Sequence, residues 1–263
     1  MRVVSLASGS RGNACLVEEG GFAVLIDCGL GPKTLERRMA ALGDSRPEIV
    51  AVMITHSHTD HTAGLKAFSS KRPDIPVFAN VMTADAVAHE CGVPEDAFAC
   101  FENGQTFYAG PFSAKAFSIP HDTSDPVGFV LKSCADGQRG ATTYFHCTDI
   151  GTPVDSVGCE LSGADVATIE SNHDPVMLKT SGRAPSLISR IYGPRGHLSN
   201  DEACELVSRY ASPKLKTVAL AHLSCECNAP HLAEDAMRET LSSLGRCDVA
   251  VKVLSQNSLV EIV

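Results

Sequence analysis

Tryptophan is absent from this chain and aromatic residues make up only 5% of it, so its core must be built mainly from aliphatic side chains. No apolar stretch approaches the ~20 residues that cross a bilayer, which argues against a membrane-spanning protein. The apolar start is interrupted by Ser8-Gly9-Ser10-Arg11-Gly12-Asn13 before a secretory h-region could be completed. A CxxC pair is missing too. The eleven cysteines are odd in number and scattered, with Cys225-Glu226-Cys227 the one close pair. They read as reduced, mostly buried thiols in a cytoplasmic protein rather than as a disulfide framework. Positive charge is scarce: the net charge of −9 argues against a strongly basic nucleic-acid binder. It leaves room for a nucleic-acid substrate held at one local site, because two bound divalent ions would add about four positive charges there.

What remains, 44% hydrophobic and 20% charged residues, is an ordinary soluble globular composition. There is no low-complexity linker and no break in composition, so one domain over 1–263 is expected. Apolar runs at 3–7, 14–17 and 22–27, separated by glycine-containing turns, predict antiparallel strands. Helical spacing at 33–42 precedes a strand at 49–54 and a helix over 61–70. A short strand at 77–79 and a helix over 83–91, closed by Gly92, follow. Further strands are predicted at 106–108, 112–119, 127–131, 142–147 and 166–170. A helix over 201–210 starts after the capping pair Ser199-Asn200. A strand at 217–221, a helix over 232–244 and strands at 249–254 and 259–263 complete the chain. Strands then helices, given twice, predict an α/β (α+β layered) fold of two packed sheets with helices on both outer faces.

The chemistry concentrates at Thr55-His56-Ser57-His58-Thr59-Asp60-His61, directly after the apolar run that ends at Ile54. Histidine nitrogen with carboxylate oxygen suits zinc, iron or manganese. His56 and His58, two apart, can point one way from an extended turn, and Asp60 and His61 can reach a second ion. His121, Asp149 and His222 also follow apolar runs, at the strand ends where ligands gather in sheet-based folds. Taken singly, each is as well explained as a structural residue.

The T-H-x-H-x-D-H pattern, with Leu25-Ile26-Asp27-Cys28-Gly29 upstream, resembles the metallo-β-lactamase superfamily over essentially the whole chain. Four further motifs resemble its YycJ/WalJ-type exonuclease branch: Leu6-Ala7-Ser8-Gly9-Ser10-Arg11-Gly12-Asn13, Glu170-Ser171-Asn172-His173-Asp174, Gly196-His197-Leu198-Ser199-Asn200 and Ala221-His222-Leu223-Ser224. The resemblance implies an αββα sandwich with two divalent metal ions (zinc, manganese or iron) in the cleft between the sheets. His56, His58 and His121 would hold one ion, Asp60, His61 and His222 the other, and Asp149 would bridge them. A water shared by the ions would lose a proton near neutral pH and act as the nucleophile. Asp27 would orient the histidine loop from behind; on its residue type alone it could equally be a turn residue before Gly29. The resemblance further implies 5′-to-3′ cleavage of DNA and a link to DNA repair.

The segment leading to His222 is also similar to the tail of ribonuclease Z, where a histidine placed as His197 is here serves the scissile phosphate. An imidazolium can protonate the leaving oxygen of a phosphodiester; otherwise His197 caps the following helix. His173 could orient a ligand, face substrate or be structural. Between Asp174 and Asp201 there is no acid, and Lys179, Arg183, Arg190 and Arg195 form a basic island. It either lines a groove for flanking phosphates or is a solvated face. The 8–13 turn, with Ser8, Ser10 and Asn13, could nest an anion or be a plain hairpin turn. His89 and His146 are expected to be structural. A thiol at Cys225 or Cys227, just past His222, could perturb metal choice. These readings converge on a dimetal phosphodiesterase acting on nucleic acid, most simply a DNA exonuclease with His197 and Asp60 as catalytic residues. The alternatives are a small-molecule phosphodiester, thioester or lactone hydrolase on the same site, or a metal-binding protein that works by binding a partner.

Overall fold

The structure, a computed structural model, describes residues 1–133 and 141–263. Its strands are β1 (Arg2–Ala7), β2 (Ala14–Glu19), β3 (Phe22–Ile26), β4 (Glu48–Met53), β5 (Val77–Asn80), β6 (Phe98–Phe101), β7 (Thr106–Ala109), β8 (Phe112–Ser118), β9 (Val127–Ser133), β10 (Thr143–Cys147), β11 (Val166–Glu170), β12 (Thr217–Ala221), β13 (Ala250–Val253) and β14 (Val260–Glu261). The helices are α1 (Pro32–Ala40), α2 (Thr59–Thr62), α3 (Leu65–Lys71), α4 (Val81–Cys91), α5 (Asp155–Leu161), α6 (Pro175–Thr180), α7 (Pro185–Tyr192), α8 (Asn200–Tyr210) and α9 (Pro230–Ser243).

Two seven-stranded sheets form, in the orders β14-β1-β2-β3-β4-β5-β6 and β13-β12-β11-β10-β9-β8-β7. In these orders the first runs through three antiparallel pairings and then three parallel ones, and the second through three parallel and then three antiparallel. The period-two alternation of strand side chains sorts the apolar residues into three cores, and the three cores define four layers. In β3, Val24 and Ile26 join Ala51 and Met53 of β4 in the core between the sheets, which β10 and β12 complete with Tyr144, Ala219 and Ala221. Ala23 and Leu25 face the other way, into the layer with Leu35 and Met39 of α1 and Val87 of α4. On the far side, Phe145, Ile169, Val218 and Leu220 pack against Leu206 of α8 and Met237 of α9. The expected αββα sandwich is therefore present.

Local chemistry sets the element ends. Asn80 caps α4 by accepting from the Thr83 amide, and Gly92 closes it in the left-handed region at φ 66°. Ser199 and Glu202 make a reciprocal capping box at the start of α8. The helix predicted over 61–70 is broken into α2 and α3. The Asp60 and His61 carbonyls accept from the Asn13 and Cys28 amides and the Gly64 amide donates to the Cys28 carbonyl, so these groups are lost to a continuous helix. Four elements had no counterpart in the sequence reading: the short strand β6, α5, whose N-cap Val154 offers no side-chain acceptor, and the α6–α7 pair. The signal for α6 was present in Asp174-Pro175, an N-cap followed by proline at the first helical position. Among the described residues no helix is long and apolar enough to cross a membrane.

His146 lies in the middle of the sandwich, on the inner face of β10. Its Nδ1 is 3.0 Å from the Tyr144 hydroxyl, which also meets Thr168 Oγ1 at 2.8 Å and the Cys15 thiol at 3.4 Å. His89, by contrast, is exposed on α4. Burial lowers the His146 pKa from 6.5 to about 4. The unfolded chain therefore binds the extra proton between these values, and this contribution to stability is complete above pH 6.5 and lost as pH falls toward 4. At about 1.4 kcal/mol per unit this amounts to at most about 3 kcal/mol. Chemical denaturation at pH 6.5 and pH 4.5 should show a smaller loss of stability on acidification for His146→Gln than for the wild type.

Candidate metal centre and active site

Both sheets deliver the site. The loop after β4 carries His56, His58, Asp60 and His61, and β3 ends at Asp27. From the second sheet come His121 after β8, Asp149 after β10, Glu170 at the end of β11 and His222 after β12. Asp27, Asp149 and His222 have positive φ, at 61°, 57° and 55°. Such a conformation costs on the order of 1–3 kcal/mol for a non-glycine residue; here it turns the chain sharply where each strand stops at the site. Close packing fixes the histidine loop. A β-carbon on Gly29 would lie 1.7 Å from the Asp60 carbonyl oxygen, the Asn13 amide donates to that oxygen at 2.7 Å, and the Cys28 amide donates to the His61 carbonyl at 2.8 Å.

Three groups of ligand atoms result, each within 4.8 Å: His56, His58 and His121; Asp60, His61, Asp149 and His222; and Asp149, Glu170, His197 and His222. His58 Nδ1 faces His121 Nε2 at 3.3 Å. His61 Nε2 stands 3.1 Å from Asp149 Oδ2 and 3.5 Å from Asp60 Oδ2, and His222 Nε2 is 3.3 Å from Asp60 Oδ2. The outer ring nitrogens are occupied by protein. His61 Nδ1 donates to Asp27 at 2.7 Å, His121 Nδ1 to the Gly196 carbonyl at 3.1 Å, and His222 Nδ1 to Glu170 Oε1 at 3.0 Å. Each such bond fixes a tautomer that leaves Nε2 as the donor atom, the arrangement typical of histidine ligands.

These groups fit divalent ions. His56 Nε2 and Asp149 Oδ2 are buried with no hydrogen-bond partner. Burial keeps His56, His58 and His121 below the usual histidine range, so their lone pairs are free. Burial also opposes protonation of His222, but Asp149, Asp60 and Glu170 outweigh it and push the pKa up to about 10. His61 is likewise raised against its burial by Asp27 and Asp149. The second group therefore attracts positive charge strongly, and a divalent cation would displace the protons it holds. His56, His58 and His121 would hold one ion and Asp60, His61 and His222 the other, with Asp149 between them.

His197 stands beside this centre, 13% exposed, with Nδ1 donating to Glu170 Oε1 at 2.8 Å. Burial would lower its pKa, and Glu170 reverses that and raises it. Glu170 is fully buried, and its Oε2 also accepts from the Ile150 and Leu198 amides at 3.0 and 3.1 Å. The sequence reading gave Glu170 no role, although a carboxylate ending an apolar strand was the same signal that singled out Asp149. Asn172 was passed over too; its Nδ2 donates to the His222 carbonyl at 2.8 Å. His173 joins none of the three groups. It is buried edge-on to Tyr192 at 5.2 Å, and its carbonyl accepts from Asn200, seating the 197–200 loop.

The 8–13 turn braces the site, and five of its six amides are already used within the protein. Those of Ser8, Gly9, Arg11, Gly12 and Asn13 donate to Ser255, Asn13 Oδ1, Gln256 Oε1, Gly9 and Asp60. Ser8 Oγ accepts from the His222 amide at 2.8 Å, and Asn13 Nδ2 lies 3.3 Å from Asp60 Oδ2. Of the three polar side chains singled out in this turn, only Ser10 lines the cleft. From the basic island, Arg183 and Arg190 line the cleft, Arg195 lines a neighbouring one, and Lys179 is exposed on α6 away from both. Arg190 pairs with Asp122 and Arg183 with Glu226. Cys227 is buried against Leu178 and Ile191, Cys225 is exposed, and neither belongs to a metal-holding group.

Because one Glu170 oxygen serves both His222 and His197, Glu170→Gln should reduce metal affinity at the His222 position by about 10–100-fold. Metal titration read by bound-metal analysis would check this, with no comparable loss expected for Glu226→Gln at the exposed rim.

A model of the β-lactamase superfamily domain matches residues 23–222. Exodeoxyribonuclease YycJ of Bacillus anthracis is 31% identical over 242 residues, covering 91% of this chain and 89% of that protein. Exodeoxyribonuclease WalJ of Streptococcus pneumoniae is 30% identical over 251 residues, covering 94% and 90%. The crystal structure of the metallo-β-lactamase fold protein YhfI from Bacillus subtilis superimposes with a TM-score of 0.69 at 17% identity, over 99% of this chain and 100% of that one. Fold, clustered ligands and matched span agree, and the chain belongs to the β-lactamase superfamily, with the metallo-β-lactamase fold.

Proposed function

We propose that this protein is a metal-dependent phosphodiester hydrolase acting on nucleic acid, a cytoplasmic DNA exonuclease working from 5′ to 3′. The observation that carries the reading is the His197–Glu170 pair beside the metal-holding groups. Ester or lactone hydrolysis needs water activation and charge stabilisation, whereas cleaving an unactivated phosphodiester also needs a proton for a poor leaving oxygen. His197 is built for that donation. Glu170 holds Nδ1, favours the protonated ring and leaves Nε2 as the nitrogen available to the cleft. Two divalent ions, when bound, would lower the pKa of water toward neutrality and offset the charge growing on the phosphoryl oxygens. Asp60, at 24% side-chain exposure the most open of the acidic ligands, is placed to orient the attacking water and receive its proton.

The names of the two bacterial relatives support DNA as the substrate. So does the cleft. At about 190 Å³ it falls below the roughly 300–1,000 Å³ typical of pockets that enclose a small ligand, so a substrate must lie largely outside it. The ten described cysteines are unpaired thiols, which accords with a reducing compartment. A small-molecule phosphodiesterase is the second reading, favoured by the pairing of Arg183 and Arg190 with carboxylates.

A turnover panel on metal-analysed protein tests this, using 5′-phosphorylated single- and double-stranded DNA, RNA, p-nitrophenyl phosphodiester and a thioester, with Asp60→Ala as the blank. DNA should be cleaved from its 5′ end, and a thioester turned over while DNA stays inert would overturn the reading. His197→Ala should lower kcat on DNA by about 10²–10⁴-fold. It should cost far less on the p-nitrophenyl ester, whose leaving group needs no proton.

A further inference from the structure

Two clefts meet at His58. The first is the metal cleft, lined by Asp60, Asp149 and His197, with Arg183 and Arg190 on its wall. The second, about 430 Å³, is lined by Ser57, Thr123, Ser124, Glu90 and Arg195, and shares His58 and Asp122 with the junction. Arg190 reaches from the wall of the first cleft to Asp122 in the second, with Nε 2.5 Å from Oδ2 and a terminal nitrogen 3.1 Å from Oδ1. The ion pair therefore spans the divide between them. Its side chains are 49% and 30% exposed, and a pair so open to water contributes little to stability.

We propose that the two clefts are one substrate groove, divided in the free protein by the Arg190–Asp122 ion pair, and that a polynucleotide joins them by taking Arg190 from Asp122. The proposal rests on the phosphodiesterase reading above and extends it to the nucleotides that flank the scissile bond. Asp122 already offers Arg190 two oxygens of a singly charged acid. A backbone phosphodiester presents the same charge and the same two-oxygen fork, which a guanidinium binds in the same geometry. The displaced carboxylate keeps a neighbour, since His58 Nε2 is 3.7 Å from Asp122 Oδ1.

The second cleft has the chemistry of a backbone track. Serine and threonine hydroxyls and arginine are the groups that hold phosphate and sugar without reading sequence. Ser57 and Thr123 are paired through their hydroxyls at 3.0 Å, and Arg195 supplies the guanidinium. Glu90 is its acid besides Asp122, and it opposes an anion there, so the track depends on Arg195. A mononucleotide ester ends within the first cleft and gains nothing from the second. A longer strand gains one phosphate contact at Arg190 and another at Arg195.

The test compares kcat/KM for a single-stranded DNA 8-mer, an RNA 8-mer, a dinucleotide and p-nitrophenyl phosphodiester over a range of salt, in the wild type, Arg195→Ala, Arg195→Lys and Asp122→Asn. In the wild type the DNA 8-mer should exceed the dinucleotide. Arg195→Ala should lower the ratio of 8-mer to p-nitrophenyl ester by about ten-fold. It should also flatten the slope of log kcat/KM against log salt by about 0.7, the value of one lost phosphate contact on a single strand. Arg195→Lys should keep the slope, which separates lost charge from a folding defect. Asp122→Asn should raise the 8-mer ratio by up to about five-fold, the value of a surface ion pair. An 8-mer ratio and salt slope left unchanged by Arg195→Ala would overturn the groove while leaving the phosphodiesterase reading intact. Failure of the wild type to cleave any DNA or RNA would overturn the functional reading itself. An RNA 8-mer preferred over DNA would keep the groove and change its occupant.

Discussion

Four carboxylates gathered in one pocket are the constraint on which the rest of this structure depends. Asp27, Asp149 and Glu170 are almost wholly buried, and Asp60 stands beside them. Buried charge is tolerated only when it is paired and hydrogen-bonded. The surrounding architecture is a way of meeting that condition. Six imidazoles line the same space, three drawn to protons by the acids and three shifted toward the neutral form by burial. Three residues accept left-handed backbone to be there. Gly29 gives up its side chain so that the 28–29 segment can lie against Asp60. Divalent ions would supply the charge that makes the arrangement favourable, so the strain and the electrostatic debt belong to one design.

Much of this was legible in the sequence because the strands are short, apolar and punctuated by glycine. Strands such as β3, β4 and β12 can be read from these runs, and the ligands sit where the runs stop. Periodicity could not show where tertiary contacts override it. The 61–70 stretch reads as one helix, and hydrogen bonds from Asn13 and with Cys28, remote in sequence, divide it. The roles of Ser8 and Asn13 were hidden for a similar reason. Their partners, His222 and Asp60, are remote in sequence, so nothing in the turn itself showed that most of its amides serve the protein. Glu170 was overlooked because carboxylates were sought after strands, and this one is the last residue within a strand.

On the proposed function, the site also accounts for how an acidic protein would address a polyanion. Net charge of −9 describes the far field, which decays within a Debye length of about 10 Å. What a phosphodiester meets in the cleft is local: the metal-holding groups, the His197 ring held by Glu170, and arginines that carry carboxylates of their own. Glu226 and Asp122 offset the charges of Arg183 and Arg190 in the free protein. In the proposed groove, selectivity would lie in the exchange of one acid for another.

The bond from the His222 amide to Ser8 Oγ joins residues 214 apart in the chain. Contacts this remote are the slowest to form, because loop-closure entropy must be overcome before they reward the chain. Neither sheet alone owns a complete set of ligands, and the last strand to contribute one must dock against the first turn of the protein. The His222-containing group is therefore complete only when both ends of the chain are in place, whereas His56, His58 and His121 lie within one stretch of it. His222, the ligand furthest along the chain, is thus held in place by a residue of the first turn.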